Sequence, residues 1–201
     1  MLSILDPIIF PDDCLILKSQ DHYIYPIFKN GSSSLKQSGY TVVSPDEYAD
    51  ISEVTVFVRE PFERYLSGVN TFVQHNPSYH QETLVHIISE NLFLNRHFCL
   101  QFHWLVNLQR FTQAPVILKP MSELNHVIDL HNNTSKNKSF REVFENHAKL
   151  HFYLALDKVL FYDLIGQTVD FKQILTTLKQ NYPDTYTEVI ERSKQICSVL
   201  D

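Results

Sequence analysis

The chain has 201 residues, of which 44% are hydrophobic, 12% aromatic and 20% charged. This composition supplies a core and excludes a disordered or collagen-like chain, and the length favours one domain. Lys and Arg number 17 against 23 Asp and Glu, a net charge of −6. That sign opposes general binding to nucleic acid or to an anionic membrane. We expect neither partner, and any bound anion must meet a local cluster of donors.

The cysteines and the apolar runs indicate the compartment. Cys14, Cys99 and Cys197 lie far apart without a CxxC pair, which disfavours a disulfide framework or a cysteine zinc site. No run approaches the ~18 apolar residues of a transmembrane helix. The apolar first residues carry three aspartates and no basic leader, unlike a signal peptide. We expect a cytoplasmic protein.

Short β-rich runs alternate with helical runs up to the polar stretch 131–139, after which the pattern is helical. The predicted strands are His22–Phe28, Tyr40–Val43, Glu53–Val58 and Pro115–Leu118. The third is a nearly continuous apolar run, typical of a buried parallel strand. Helices are predicted after the serine-rich loop, from Pro61, and at about 81–93, 97–112, 122–130, 139–148, 150–165 and 170–198, the last broken at Pro183. This alternation predicts an α/β fold with a central parallel sheet.

The first candidate anion site follows the first strand and comprises Lys29, Asn30, Gly31, Ser32, Ser33 and Ser34. A Gly-containing loop before a helix can hold a phosphate, because helix N-termini present unpaired N–H groups and partial positive charge. The serines would cap the helix, and Lys29 would add a full charge. An ordinary serine-rich helix cap is the alternative. The segment lacks the GxxxxGK[ST] pattern of a Walker A loop.

The second candidate anion site begins where the most apolar strand ends, at Arg59. Ligands of open α/β sheets gather at the carboxyl ends of strands. Ser67 follows about two helical turns later, and a guanidinium with a hydroxyl suits a phosphate. A P-loop NTPase often has an Mg²⁺-binding Asp here, so Arg favours a ligand held without metal. The alternative is a salt bridge from Arg59 to Glu60 or Glu63, and we expect Arg64 in a surface ion pair.

Together these segments resemble the sulfotransferase family. Tyr25–Leu35 is similar to its 5′-phosphosulfate loop (PKxGxTS or PKSGTTW), and Arg59–Ser67 matches its 3′-phosphate motif, R[DN]PxERxxS. Asn95–Gln101 is similar to the DxHxxPQ segment of the carbohydrate-type branch. Two later blocks, Lys119–Leu124 and Tyr153–Tyr162, also resemble that branch. The likeness covers about residues 23–165, and helices follow over 166–201.

The sequence departs from the family pattern at four motif positions. Phe28 and Leu100 stand where the family has Pro, Glu60 where it has Asp or Asn, and Asn95 where it has Asp. The interval 36–53, from which several family members take their catalytic base, contains no histidine.

The resemblance implies a single domain over residues 1–201 with a P-loop-NTPase-like parallel sheet flanked by helices and a helical C-terminal part. It implies 3′-phosphoadenosine 5′-phosphosulfate (PAPS) as the sulfuryl donor, adenosine 3′,5′-bisphosphate (PAP) as the product, and no metal. The acceptor would be a hydroxyl or amine of a carbohydrate or small molecule. Lys29 would stabilise charge on the leaving oxygen. Lys29 to Ser34, Arg59 and Ser67 would bind the nucleotide.

The catalytic base is the least determined part of the site. His97 is our first candidate because it lies in a family-like block, with His103 and His75 next. A purely structural hydrogen-bonding role for His97 stays open. Two other functions also stay open, a P-loop-like small-molecule kinase and a nucleotide-binding relative without turnover. A partner subunit, as in a homo-oligomer, could supply acceptor-binding loops.

Overall fold

The computed structural model describes residues 16–20, 22–27, 29–93, 95–109, 112–124 and 138–197. Within them, six strands form one sheet in the order β3-β1-β2-β4-β5-β6. Their bounds are β1 Leu17–Ser19, β2 His22–Tyr25, β3 Thr41–Val42, β4 Val54–Val58, β5 Val116–Pro120 and β6 Thr168–Val169. Strands β2, β4 and β5 are parallel, whereas β1, β3 and β6 pair antiparallel. The α/β class is confirmed, and the central strands are parallel as predicted, whereas the flanking antiparallel strands make the sheet mixed.

Helices pack around this sheet. Their bounds are α1 Ser32–Gln37, α2 Pro61–His75, α3 Gln81–Glu90, α4 Gln101–Leu108, α5 Met121–Leu124, α6 Lys138–Phe144, α7 Ala148–Leu160, α8 Phe171–Asn181 and α9 Pro183–Cys197. Two 3-10 segments cover Pro45–Asp50 and Tyr162–Leu164. No helix in the described ranges is long and apolar enough to cross a membrane.

The central strand β4 is buried on both faces, as its apolar run predicts. Val54, Val56 and Val58 belong to the large core cluster that the long helices cover. Phe57 points to the opposite face, where it joins a smaller cluster because successive strand side chains alternate between faces. The connection from β4 to β5 runs through α2, α3 and α4. The carboxyl ends of β2, β4 and β5 therefore share one edge of the sheet, which we call the carboxyl edge.

The predicted helix bounds differ from the observed ones mainly at their ends. The helix predicted over 97–112 begins at Gln101, and that predicted over 150–165 ends at Leu160 before a 3-10 turn. The break at Pro183 is confirmed, since α8 ends at Asn181 and α9 starts at the proline. Phe28 and most of the helix predicted over 122–130 lie outside the described residues, as does most of the polar stretch 131–139.

Candidate anion-binding site

The loop after β2 carries a strained lysine. Lys29 has φ of 68°, in the left-handed region that costs a residue with a side chain roughly 1–3 kcal/mol. The turn is closed by Asn30 N, which donates to Ile27 O at 3.1 Å. Gly31 follows with φ of 83°, a conformation that glycine adopts without strain. Strain of this kind in a non-glycine residue clusters at functional sites.

Helix α1 begins differently from the expectation. Its N-cap is Gly31, with no side-chain cap, so the prediction that the serines cap the helix was wrong. The positive φ of Gly31 turns the chain so that Ser32 already starts the helix. Ser32 is buried, Ser34 is half-buried, and the side chain of Ser33 lies outside the described part. Because α1 has only six residues, positive charge at this loop comes mainly from side chains.

Arg59 lies directly after β4, and its side chain reaches the lysine loop. Its Nη1 donates to the Lys29 carbonyl oxygen at 3.4 Å. The two neighbouring glutamates have other partners. Glu60 Oε2 accepts from Glu63 N at 2.7 Å and caps α2, and Glu63 pairs with Arg141 of α6. The structure thus brings Lys29 and Arg59 together at the carboxyl edge.

The ammonium group of Lys29 lies against α2. Its Nζ donates to Thr71 Oγ1 at 2.7 Å, and Thr71 Oγ1 donates to Ser67 O at 3.1 Å. Thr71 therefore joins the lysine to the turn that carries the half-buried Ser67. Sequence reasoning missed Thr71. The available signal was its place four residues after Ser67, on the same helix face.

Positive charge is concentrated at this edge. Burial, followed by the charges of Arg64 and Arg59, lowers the pKa of Lys29 from 10.5 to about 8. Burial also lowers the pKa of Arg59, although Glu63 and Glu60 oppose the shift. A bound anion would counter the mutual repulsion of these cations, because an opposite charge favours the ionised form of each.

Arg64 does not lie on the surface as expected. It is 2% exposed, and its Nη1 donates to the Cys99 carbonyl. The surface ion pair was wrong because Arg64 lies on the face of α2 that packs against the core, where Tyr65 and Leu66 are also buried. Burial lowers the pKa of this guanidinium, while Cys99 and Asp157 favour its charge. Arg64 adds positive potential behind the site and cannot reach solvent.

His97 lies within electrostatic reach of Lys29. Burial, followed by Lys29, Arg96, His75 and Arg64, lowers the pKa of His97 to about 3. The imidazole is therefore neutral at physiological pH.

The other two base candidates differ in position. The exposed His75 has its ring centroid 6.1 Å from that of His97. His103 is 1% exposed and packs on Phe93 inside the core, so it does not join the carboxyl edge as an accessible group.

A glycine on α2 sets the position of the His97 segment. A Cβ added to Gly68 would lie 2.0 Å from the His97 carbonyl oxygen and 2.9 Å from Phe98 Cβ. Real Cβ atoms essentially never approach other atoms so closely. Gly68 therefore allows the backbone around His97 to pack directly on α2, three residues before Thr71.

The side chain of Asn30 joins the lysine loop to β4 and α4. It is 1% exposed, and its Nδ2 donates to Phe57 O and to Gln101 Oε1, both at 2.8 Å. Both amide protons are thus used inside the protein, and the side chain holds the loop to the end of β4. Asn30 was predicted among the nucleotide-binding residues, but its backbone N–H donates to Ile27 O and both of its amide protons bond within the protein.

Comparisons with known proteins add no family. No family model, curated protein or solved structure matches this chain. Among the residues that the structure describes, no group of three or more His, Cys, Asp or Glu is arranged to hold a metal ion. The chemical interpretation of the carboxyl edge therefore depends on its own residues: a strained lysine, an arginine in contact with its carbonyl, and a neutral histidine nearby.

Proposed function

We propose that this protein is a sulfotransferase that moves a sulfuryl group from PAPS to a hydroxyl or amine of a carbohydrate or small-molecule acceptor. The observation that carries the proposal is the meeting of Lys29 and Arg59 at the carboxyl ends of two neighbouring parallel strands. Two cations on separate segments suit a ligand with two anionic ends, such as a nucleotide phosphorylated at both its 3′ and 5′ positions.

The charge balance of the site supports an anionic ligand. Burial lowers the pKa of Lys29, and the charges of the buried Arg64 and of Arg59 lower it further. The two glutamates beside Arg59 have partners elsewhere. The donor of this reaction would bring several negative charges and offset the repulsion between the cations.

Each residue has a distinct part in the proposed reaction. The acceptor oxygen or nitrogen forms a bond to sulfur, the bond from sulfur to the 5′-phosphate oxygen breaks, and PAP leaves. The Lys29 ammonium stabilises the charge that develops on that leaving oxygen. Arg59, with Ser67, holds the 3′-phosphate. His97 takes the acceptor proton at Nε2, since its Nδ1 is buried.

The low pKa of His97 bears on whether the protein turns over. A base works best when its pKa is near the working pH, and about 3 is far below it. Donor phosphates would raise this pKa by offsetting Lys29 and Arg64. The same observation favours a second candidate function, a PAP-binding protein without sulfuryl transfer.

Calorimetric titration with PAP and with ATP, both without Mg²⁺, tests the proposed ligand. We expect PAP to bind and ATP to bind at least tenfold more weakly. Equal affinity for the two would overturn the sulfotransferase proposal and favour a kinase-like protein.

Labelled sulfate transfer from PAPS to a panel of glycans and phenols tests turnover. In the Lys29→Ala variant we expect transfer to fall by about 10²–10³-fold, as for removal of an oriented donor to a developing oxyanion, while PAP binding largely survives. Lys172→Ala, at the start of α8, is the matched control and should transfer like wild type. PAP binding without transfer to any acceptor would favour the non-catalytic function.

A further inference from the structure

The side-chain amide of Gln101 is fully buried at the first residue of α4. Its Oε1 accepts from Asn30 Nδ2 at 2.8 Å and from Arg59 N at 3.0 Å. Its Nε2 donates to Arg59 O at 3.0 Å and to Asp157 Oδ2 at 3.2 Å. A primary amide has two acceptor sites and two donors. All four are used, and two of the partners are the backbone groups of Arg59.

This arrangement continues the sheet where a strand has left it. Strand β2 pairs with β4 as far as Tyr25 opposite Val56, and then turns away into the lysine loop. Beyond that point, the Gln101 amide bonds both the N–H and the C=O of Arg59, as a neighbouring strand would. The end of β4 is therefore held in extended form without a β2 partner, and Arg59 leaves it in a fixed direction.

A buried carboxylate fixes the orientation of the amide. Asp157, on α7, is 2% exposed. Its Oδ2 accepts from Gln101 N at 3.3 Å as well as from Nε2, and its Oδ1 accepts from Phe102 N at 2.9 Å. Helix α4 has no side-chain cap at its own N-cap residue. Asp157, from α7, instead accepts hydrogen bonds from the first N–H groups of α4. Because the carboxylate accepts from Nε2, the Gln101 amide cannot reverse without facing oxygen to oxygen.

We propose that Gln101 is a positioning residue, locked by Asp157, that fixes the spacing between the lysine loop and Arg59. This spacing then selects ligands with anionic groups at both ends over ligands with one. The inference rests on the proposed function. Two linked contacts reinforce each other only when their separation matches the ligand. We call the hydrogen bonds that join Gln101 to Asn30, Arg59 and Asp157 the clamp. Loosening the clamp should therefore weaken the binding of a bisphosphate much more than that of a monophosphate.

The first variant is Gln101→Glu, which keeps the side-chain length and one acceptor but removes both donors. Its second oxygen would face Arg59 O and the Asp157 carboxylate. Calorimetry measures the Kd for PAP and for adenosine 5′-monophosphate. We expect PAP binding to weaken at least tenfold and monophosphate binding by less than threefold. Gln173→Glu, the same change at an exposed position of α8, should leave the ratio unchanged.

A second variant separates positioning from folding. The double change Gln101→Glu with Asp157→Asn keeps the total charge and restores a donor between the two side chains, but Arg59 O still lacks its donor. We expect its melting temperature to recover most of what Gln101→Glu loses. Its affinity for PAP relative to adenosine 5′-monophosphate should stay below that of wild type. A wild-type ratio in this folded variant would overturn the positioning role.

Hydrogen exchange of the free protein keeps this inference distinct from the proposed function. We expect faster exchange in peptides that cover residues 29–31 and 57–60 of the double variant, and unchanged exchange in α8. If wild type fails to bind PAP, the proposed function and the ligand selectivity fail, and selective exchange still supports the clamp. If wild type binds PAP, but the double variant has the same hydrogen exchange and the same relative affinity for PAP and monophosphate as wild type, only the positioning role of Gln101 fails.

Discussion

The carboxyl edge and the C-terminal helices α8 and α9 are built on different principles. In α8, Asp170 caps the first turn by accepting from Lys172 N and Gln173 N, and the buried positions form one apolar stripe of Phe171, Ile174 and Leu178. Leu175 is half-buried against the same core, and the other side chains of α8 are exposed. Such a helix is stabilised by a cap and an apolar face, and its polar groups are satisfied by water.

The carboxyl edge instead buries polar groups and stores strain. Asn30, Arg64, Gln101 and Asp157 are at most 2% exposed, and Lys29 has a left-handed backbone. Each of these features costs free energy unless its partners are in place. A protein retains such features where they position functional groups. Within the described residues, the carboxyl edge therefore combines buried polar groups with backbone strain, and it is the region where we propose the functional site.

Removing Asp157 should have the largest effect on stability. Asp157→Ala leaves the N–H groups of Gln101 and Phe102 without their acceptor and removes a negative charge that favours the buried Arg64. We expect a loss of about 3–5 kcal/mol in the free energy of unfolding, measured by urea denaturation. Asp184→Ala, in the exposed first turn of α9, should cost only about 0.3–1 kcal/mol. Equal losses would remove the contrast between the two regions.

Replacing Gly68 tests the close packing of α2 on the His97 segment. Gly68→Ala adds a Cβ within 2.0 Å of the His97 carbonyl oxygen, so the backbone must shift. We expect a loss of about 1–3 kcal/mol, as for overpacked sites, and displaced His97 imidazole resonances in NMR spectra. Thr177→Ala on the exposed face of α8 is the control and should gain or lose only a few tenths of a kcal/mol. Unmoved His97 resonances in Gly68→Ala would contradict the assigned contact.

The contrast also explains which features the sequence predicts. Pro183 separates α8 from α9 as expected, and β4 differs by one residue from the predicted Glu53–Val58. These features depend on local signals, a proline and an apolar run. Two antiparallel strands, β1 and β6, were not predicted, because they have only three and two residues, too few for a periodic pattern.

The candidate site was predictable only in part. The motif positions of Lys29 and Arg59 indicated two anion-binding segments, and the structure brings them into contact. The burial of Arg64 was not predictable from its surroundings in the sequence, since charged helix residues are usually exposed. The clamp by Gln101 depends on partners that lie 42 and 56 residues away, and no local pattern contains them.

The titration of Lys29 predicts opposite pH dependences for the stability of the protein and for its proposed activity. Its pKa in the folded protein, about 8, lies below its ordinary value of 10.5. Between these values the unfolded chain binds the extra proton, so this group makes stability rise with pH. The rate of sulfuryl transfer should change in the opposite direction, falling by up to about tenfold per pH unit above pH 8, because only the charged form of Lys29 stabilises the leaving oxygen. Lys29→Arg stays charged throughout and should show neither change, and a transfer rate in wild type that does not fall above pH 8 would contradict the role of Lys29.

The smallest expected effect isolates the strain at Lys29. Lys29→Gly and Lys29→Ala both lose the ammonium and its bond to Thr71, but only alanine keeps a Cβ at φ of 68°. We expect the glycine variant to be more stable than the alanine variant by about 1 kcal/mol in urea denaturation, after the entropy cost of glycine is subtracted. Gly166→Ala, at φ of 83° with open space around it, creates the same strain near the C-terminal helices and should cost a similar amount. If the two Lys29 variants unfold at the same urea concentration while Gly166→Ala is destabilised, the lysine loop relaxes freely. Its left-handed backbone would then not be imposed by the contacts of Arg59 and Asn30.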